Sequence, residues 1–137
     1  MKRHFKRSSA VLAAALVFAA AGASAQSFTP NRLDVGVTSL TGSTFATSAG
    51  GRLGARGAWC AAGFHALRAL GQPGSTRIFV REAASTPGSR VVFGIGPGNT
   101  QPQSVVSLGA SVRNPGSNLS ADHAFSFCAD TVTINNR

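Results

Sequence analysis

The chain has 137 residues, the size of one domain, with 43% apolar and only 12% charged residues. That charged share is about half the ~25% usual for soluble domains, and Ala, Ser, Thr and Gly take its place, which excludes a disordered acidic or basic tail. The formal charge is +9, and four of the 13 basic residues, Lys2, Arg3, Lys6 and Arg7, stand in the first seven positions; the remaining nine, all Arg, face four acids for a balance of +5.

Met1 to Ala25 reads as a cleaved secretory signal peptide. A basic start (MKRHFKR) precedes an apolar run from Ala10 to Ala21. A bilayer span needs about twenty residues, so this run is too short for a permanent anchor. Ala23-Ser24-Ala25 offers the small side chains a signal peptidase needs and places the cut before Gln26. No twin-Arg pair stands in the basic start and no Cys directly follows the cut, which favours export as an unfolded chain without a lipid anchor. Residues 26–137 are then one periplasmic or secreted domain with no transmembrane segment. Export removes the chain from nucleotide pools and weighs against nucleic acid as a partner.

Gln26 to Asn31 reads as an irregular lead-in stopped by Pro30. Leu33, Val35 and Val37 alternate with polar or small residues, so 32–38 is a predicted strand. After a turn at Thr41-Gly42-Ser43, Thr44–Ser48 is a second, short strand. Gly50–Gly57 reads as a flexible loop. Ala58–Leu70 (AWCAAGFHALRAL) is the main helix, with Cys60, Gly63, Phe64, Leu67 and Leu70 on one stripe, Trp59 at its edge and His65 facing away. Gly71 and Pro73 end it.

Thr76–Glu82 alternates, with Ile78 and Val80 inward and Arg77, Phe79 and Arg81 outward. Thr86-Pro87-Gly88-Ser89 suits a type II turn. Strands follow at Arg90–Ile95 and Gln103–Val112, separated by the Gly94–Pro102 loop. Ser120 is a predicted N-cap for a short helix over 121–128, in which Ala121, Ala124, Phe125 and Cys128 share a stripe; a strand through Phe125 and Phe127 is the rival. Thr131–Ile134 can add a last strand. The expected fold class is α+β: a mostly antiparallel sheet of about five strands, packed by one main helix (58–70) and a short C-terminal helix (121–128).

The two cysteines, Cys60 and Cys128, both lie in the exported part and suggest one disulfide. Closing so long a loop is worth on the order of 4 kcal/mol in the loop-entropy model. Zinc is the second reading, because Cys60 with His65 and His123 with Cys128 supply a tetrahedral donor set. On a helix, residues five apart stand about 140° apart, which weighs against zinc and equally against a nucleophilic Cys–His pair.

Trp59-Cys60-Ala61-Ala62, then Arg68-Ala69-Leu70-Gly71-Gln72-Pro73-Gly74, then Arg77-Ile78, with the second cysteine near the C-terminus, resembles a group of small exported bacterial proteins of unknown function. The resemblance covers roughly residues 54–128. It implies the disulfide and the exported location and carries no activity or site.

Catalytic constellations are sparse. Glu82 is the sole Glu, and Asp122 and Asp130 read as capping or solubilising residues. No G-x-S-x-G occurs, and Gly94, Gly96 and Gly98 read as a hairpin loop. Asn118-Leu119-Ser120 is a glycosylation sequon that a helix start explains as well. The loop carrying Arg52 and Arg56 leads into a helix N-terminus, where an anion can sit. Arg77, Arg81 and Arg90, with Phe79 and Val92, can share one outer face that meets a polyanion. The leading expectation is an exported, disulfide-stabilised, non-enzymatic domain that binds a ligand or an envelope partner and needs no cofactor. An anion-recognising module for glycan, phosphate or lipid head group, built on Arg52, Arg56, Arg77, Arg81 and Arg90, is the alternative. A small hydrolase or metal protein using His65, Asp122, His123 and Cys128 comes third.

Overall fold

The computed structural model describes residues 25–28, 35–48, 53–86, 88–104 and 111–129. Arg52, most of the leader segment and the predicted strand at 131–134 lie outside the described residues. The architecture is α+β, with one sheet and two helices joined by the Cys60–Cys128 disulfide.

The strands are β1 (Ala25–Phe28), β2 (Val35–Ser39), β3 (Thr44–Thr47), β4 (Arg77–Glu82), β5 (Val91–Ile95), β6 (Gln103–Ser104) and β7 (Ser117–Ser120). They lie in the order β1-β2-β3-β5-β4-β7-β6, antiparallel throughout except for the β6–β7 pair. Two differences from expectation stand out. The lead-in at 26–31 is not wholly irregular: Gln26, Ser27 and Phe28 pair with Val37, Gly36 and Val35. Of the strand expected over 103–112, Gln103 and Ser104 pair with β7, and 105–110 lie outside the described residues.

One sheet face carries Val35, Val37, Phe45, Ile78, Val80, Val91 and Phe93, all buried, as the period-2 pattern requires. Helix α1 (Ala55–Phe64) packs on this face and continues as a wider, π-type turn over His65–Ala69. It begins three residues earlier than expected, so Ala55, Arg56 and Gly57 are helix and not loop. Every residue from Gly57 to Gly63 is buried. A helix buried all round needs partners on two sides, and the second partner is α2 (Ala121–Ser126) with its 3-10 extension, Phe127–Ala129.

The stripe of Cys60, Gly63 and Phe64 therefore meets the C-terminal helix, not the sheet. Cys60 bonds Cys128, and the Phe64 ring lies 6.3 Å from that of Phe125. The opposite side carries Trp59 against Phe93 at 4.9 Å and His65 against Phe45 at 4.5 Å. His65 does face away from the cysteine stripe, yet it faces the sheet and not solvent. Gly71, at φ 63, ends the helix as its position predicts.

Helix α2 starts directly from β7, and its first backbone donors are all met. Ala121 N–H donates to Thr76 O at 2.8 Å, Asp122 N–H to Gly74 O at 3.0 Å, and His123 N–H to the Ser120 hydroxyl at 3.2 Å. The helical reading of 121–128 and the Ser120 cap both hold.

Candidate functional site

The start of α1 contrasts with that of α2. Gly54 precedes α1 and supplies no side-chain cap, and no acid stands in the first turn. This helix start opens on a cleft of about 440 Å³. Gly54 and Ala58 form one wall, Ser89 and Val91 the second, and Ser111 and Arg113 the third. The walls are joined where Ala84 N–H donates to Val112 O at 3.1 Å. The turn at 86–89 is closed by Ser89 N–H to Thr86 O at 3.0 Å, as its sequence predicts. Small side chains therefore leave room, while hydroxyls and one exposed guanidinium line it. Such a site suits a small ligand or a short polar chain, with Arg113 as its cation.

The sequence-predicted Arg set does not converge there. Arg56, exposed in the first turn of α1, places its guanidinium 5.5 Å from the centroid of the Phe127 ring. The His123 ring lies tilted against the same ring, with centroids 5.5 Å apart. Arg77 donates from Nε to Asn118 Oδ1 at 2.9 Å and from Nη2 to Asn118 Oδ1 and Asn118 O. Asn118 is buried and spends its own amide on Gln103 O and Gly116 O, both at 3.0 Å. This amide clamp joins β4, β6 and β7, and it encloses the sequon nitrogen within the folded domain.

Arg81 occupies the irregular step of the β4–β5 ladder between Val80 and Glu82. Its Nε donates to Gly96 O at 3.0 Å, and a Cβ on Gly94 or Gly98 would collide with its side chain. The glycines at 94 and 98 thus make room for an arginine. Arg90 pairs with Glu82 at 3.3 Å, both side chains more than half exposed, a pair worth under about 1 kcal/mol. Phe79 was expected outward beside Arg77 and Arg81. It does lie on that face by register, yet it is buried, as are Val92 and Ala46.

The residues of the hydrolase or metal reading are also placed apart. Cys60 and Cys128 are consumed by their bond. His65 is under the sheet, and its Nε2 has no hydrogen-bond partner. His123 and Asp122 are exposed on α2. Among the described residues no group of three His, Cys, Asp or Glu is placed to hold a metal. No helix among them is long and apolar enough to cross a membrane. Sequence reasoning missed Arg113 and the Ser111 hydroxyl beside it, because only the contact of Val112 with Ala84 brings that segment to the helix start. Family models, curated proteins and solved structures contain no match to this chain.

Proposed function

We propose that the chain is an exported, disulfide-stapled, non-catalytic domain that binds an anionic glycan or another envelope component in the cleft at the start of α1. The buried Cys60–Cys128 bond carries the reading, because a structural disulfide belongs to an oxidising compartment. The basic, short apolar leader agrees with it. Its resemblance to small exported proteins belongs to the same proposal. A helix start with no side-chain cap and no acid in its first turn, beside the Arg113 guanidinium, favours a negatively charged group.

The test is an amide NMR titration of the oxidised domain, first with inorganic phosphate and then with a sulfated disaccharide. Saturable, salt-sensitive shifts at 54–58, 86–89 and 111–113, weakened by Arg113→Ala, are expected. Shifts centred on 77–82 would move the site to the Arg77 and Arg81 face. No saturable shift with either probe would overturn the anionic reading.

A further inference from the structure

Among the described residues His65 is the one buried ionisable side chain outside the disulfide, 6% exposed, and its Nε2 has no hydrogen-bond partner. Its ring lies on Phe45 of β3 with centroids 4.5 Å apart. It also opens the π-type turn that ends the long helix: Leu70 N–H donates to His65 O at 3.0 Å and Gln72 N–H to Ala66 O at 2.9 Å. A π-type turn inside a helix is rare and is found disproportionately at functional positions.

Among the described residues the surroundings offer an imidazolium no counter-charge. β2, β3 and β5 contain no ionisable residue. From β4, Arg77 and Arg81 spend their guanidinia on Asn118 and Gly96, and Glu82 is exposed and paired with Arg90. From α2, Asp122 and His123 are exposed, and on the same helical run Arg68 is exposed. Among the described residues the other buried side-chain polar atom without a partner is the hydroxyl of Thr47, also on β3. It carries no charge.

We propose that His65 is an acid-sensitive pin: neutral, it holds the end of the main helix on β3, and protonated, it leaves the apolar layer and the helix end over 65–71 opens. Burial lowers the imidazole below its ordinary value of about 6.5. The closed form therefore takes a proton less readily than the open form. Above about pH 6.5 both forms are neutral and the latch is at full strength. Below that pH the open form is protonated first, and opening becomes about tenfold more favourable per pH unit until the closed form also titrates. Cys60 lies on the other side of α1 and stays bonded to Cys128, so the opening is confined to the helix end.

The experiment follows the imidazole and the 65–72 amides of the oxidised domain by NMR from pH 8 to pH 5, beside His65→Phe and His123→Ala. His65 is expected to titrate below its ordinary value, in step with shifts at 65–72 and 44–47. Amide exchange at 65–72, corrected for its intrinsic pH dependence, is expected to rise about tenfold per pH unit below 6.5. His65→Phe keeps an aromatic ring on Phe45 and removes this rise, whereas His123→Ala keeps it. An equal rise in His65→Phe, or a His65 that titrates at or above 6.5, would overturn the proposal. Should His65→Phe fail to fold, the titration of His65 itself still decides.

Discussion

Replacing Gly63 by Ala tests whether α1 is wedged between the sheet and α2. A Cβ built at this position overlaps the Phe125 backbone nitrogen and comes within 2.9 Å of Ala121 O and Ala124 C. All three are backbone atoms, so no side chain can swing aside. The disulfide at Cys60, three residues earlier on the same face, prevents the helices from parting. Against this stands a helix-propensity gain of about 1 kcal/mol for Ala over Gly. Overpacking costs about 1–3 kcal/mol, and a backbone clash belongs at or beyond the upper end. The expected net loss is about 2 kcal/mol, and a domain of this size then melts about 8 °C lower. Thermal unfolding followed by the fluorescence of Trp59, the chain's single Trp, reads this directly. Gly42→Ala is the control, because nothing lies within 4 Å of its Cβ position. A Gly63→Ala domain that melts at or above the parent temperature would refute the close approach of α1 and α2.

The remaining predictions concern the bonds that tie distant segments. Cys60→Ser with Cys128→Ser releases a loop of 68 residues and should cost about 2–5 kcal/mol, lowering the melting temperature by more than about 8 °C in calorimetry. Asn118→Leu removes the side-chain acceptor of Arg77 and the amide that donates to Gln103 O and Gly116 O, and should cost about 2–3 kcal/mol in urea unfolding; Asn118→Asp, which still accepts from Arg77, should cost less. On a heparin column, Arg113→Glu should lower the eluting salt more than Arg90→Glu, because Glu82 already offsets Arg90; equal shifts would show that retention reads net charge alone.

The strands with strict alternation were legible because one buried face imposes a period of two: β2, β4 and β5 are where Val35, Ile78 and Val91 place them. The Ser120 cap and the Gly71 stop were legible because their chemistry is local. β1 and β7 were not. Their sequences, AQSF and SNLS, show no alternation; pairing with β2 holds β1, and pairing with the distant β4 holds β7. Reading one stripe on the main helix assumed one buried side, whereas α2 covers that stripe and the sheet buries the opposite side. That misplaced His65, whose surroundings depend on Phe45 twenty residues earlier in the chain. The cleft was likewise out of reach, since Gly54, Ser89 and Arg113 meet only in the fold. The Arg residues were read as free charge because nothing in sequence pairs Arg77 with Asn118 or lays Arg81 over Gly94 and Gly98.

The central claim, an exported domain locked by one disulfide, is tested most directly by the intact mass of the protein recovered from outside the cytoplasm, alkylated without reduction. The expected species begins at Gln26, which leaves Gln26–Phe28 to pair with β2, and carries no alkyl group until a reductant is added. A membrane-retained chain that still begins at Met1, or a native protein that alkylates at both Cys60 and Cys128, would contradict the account.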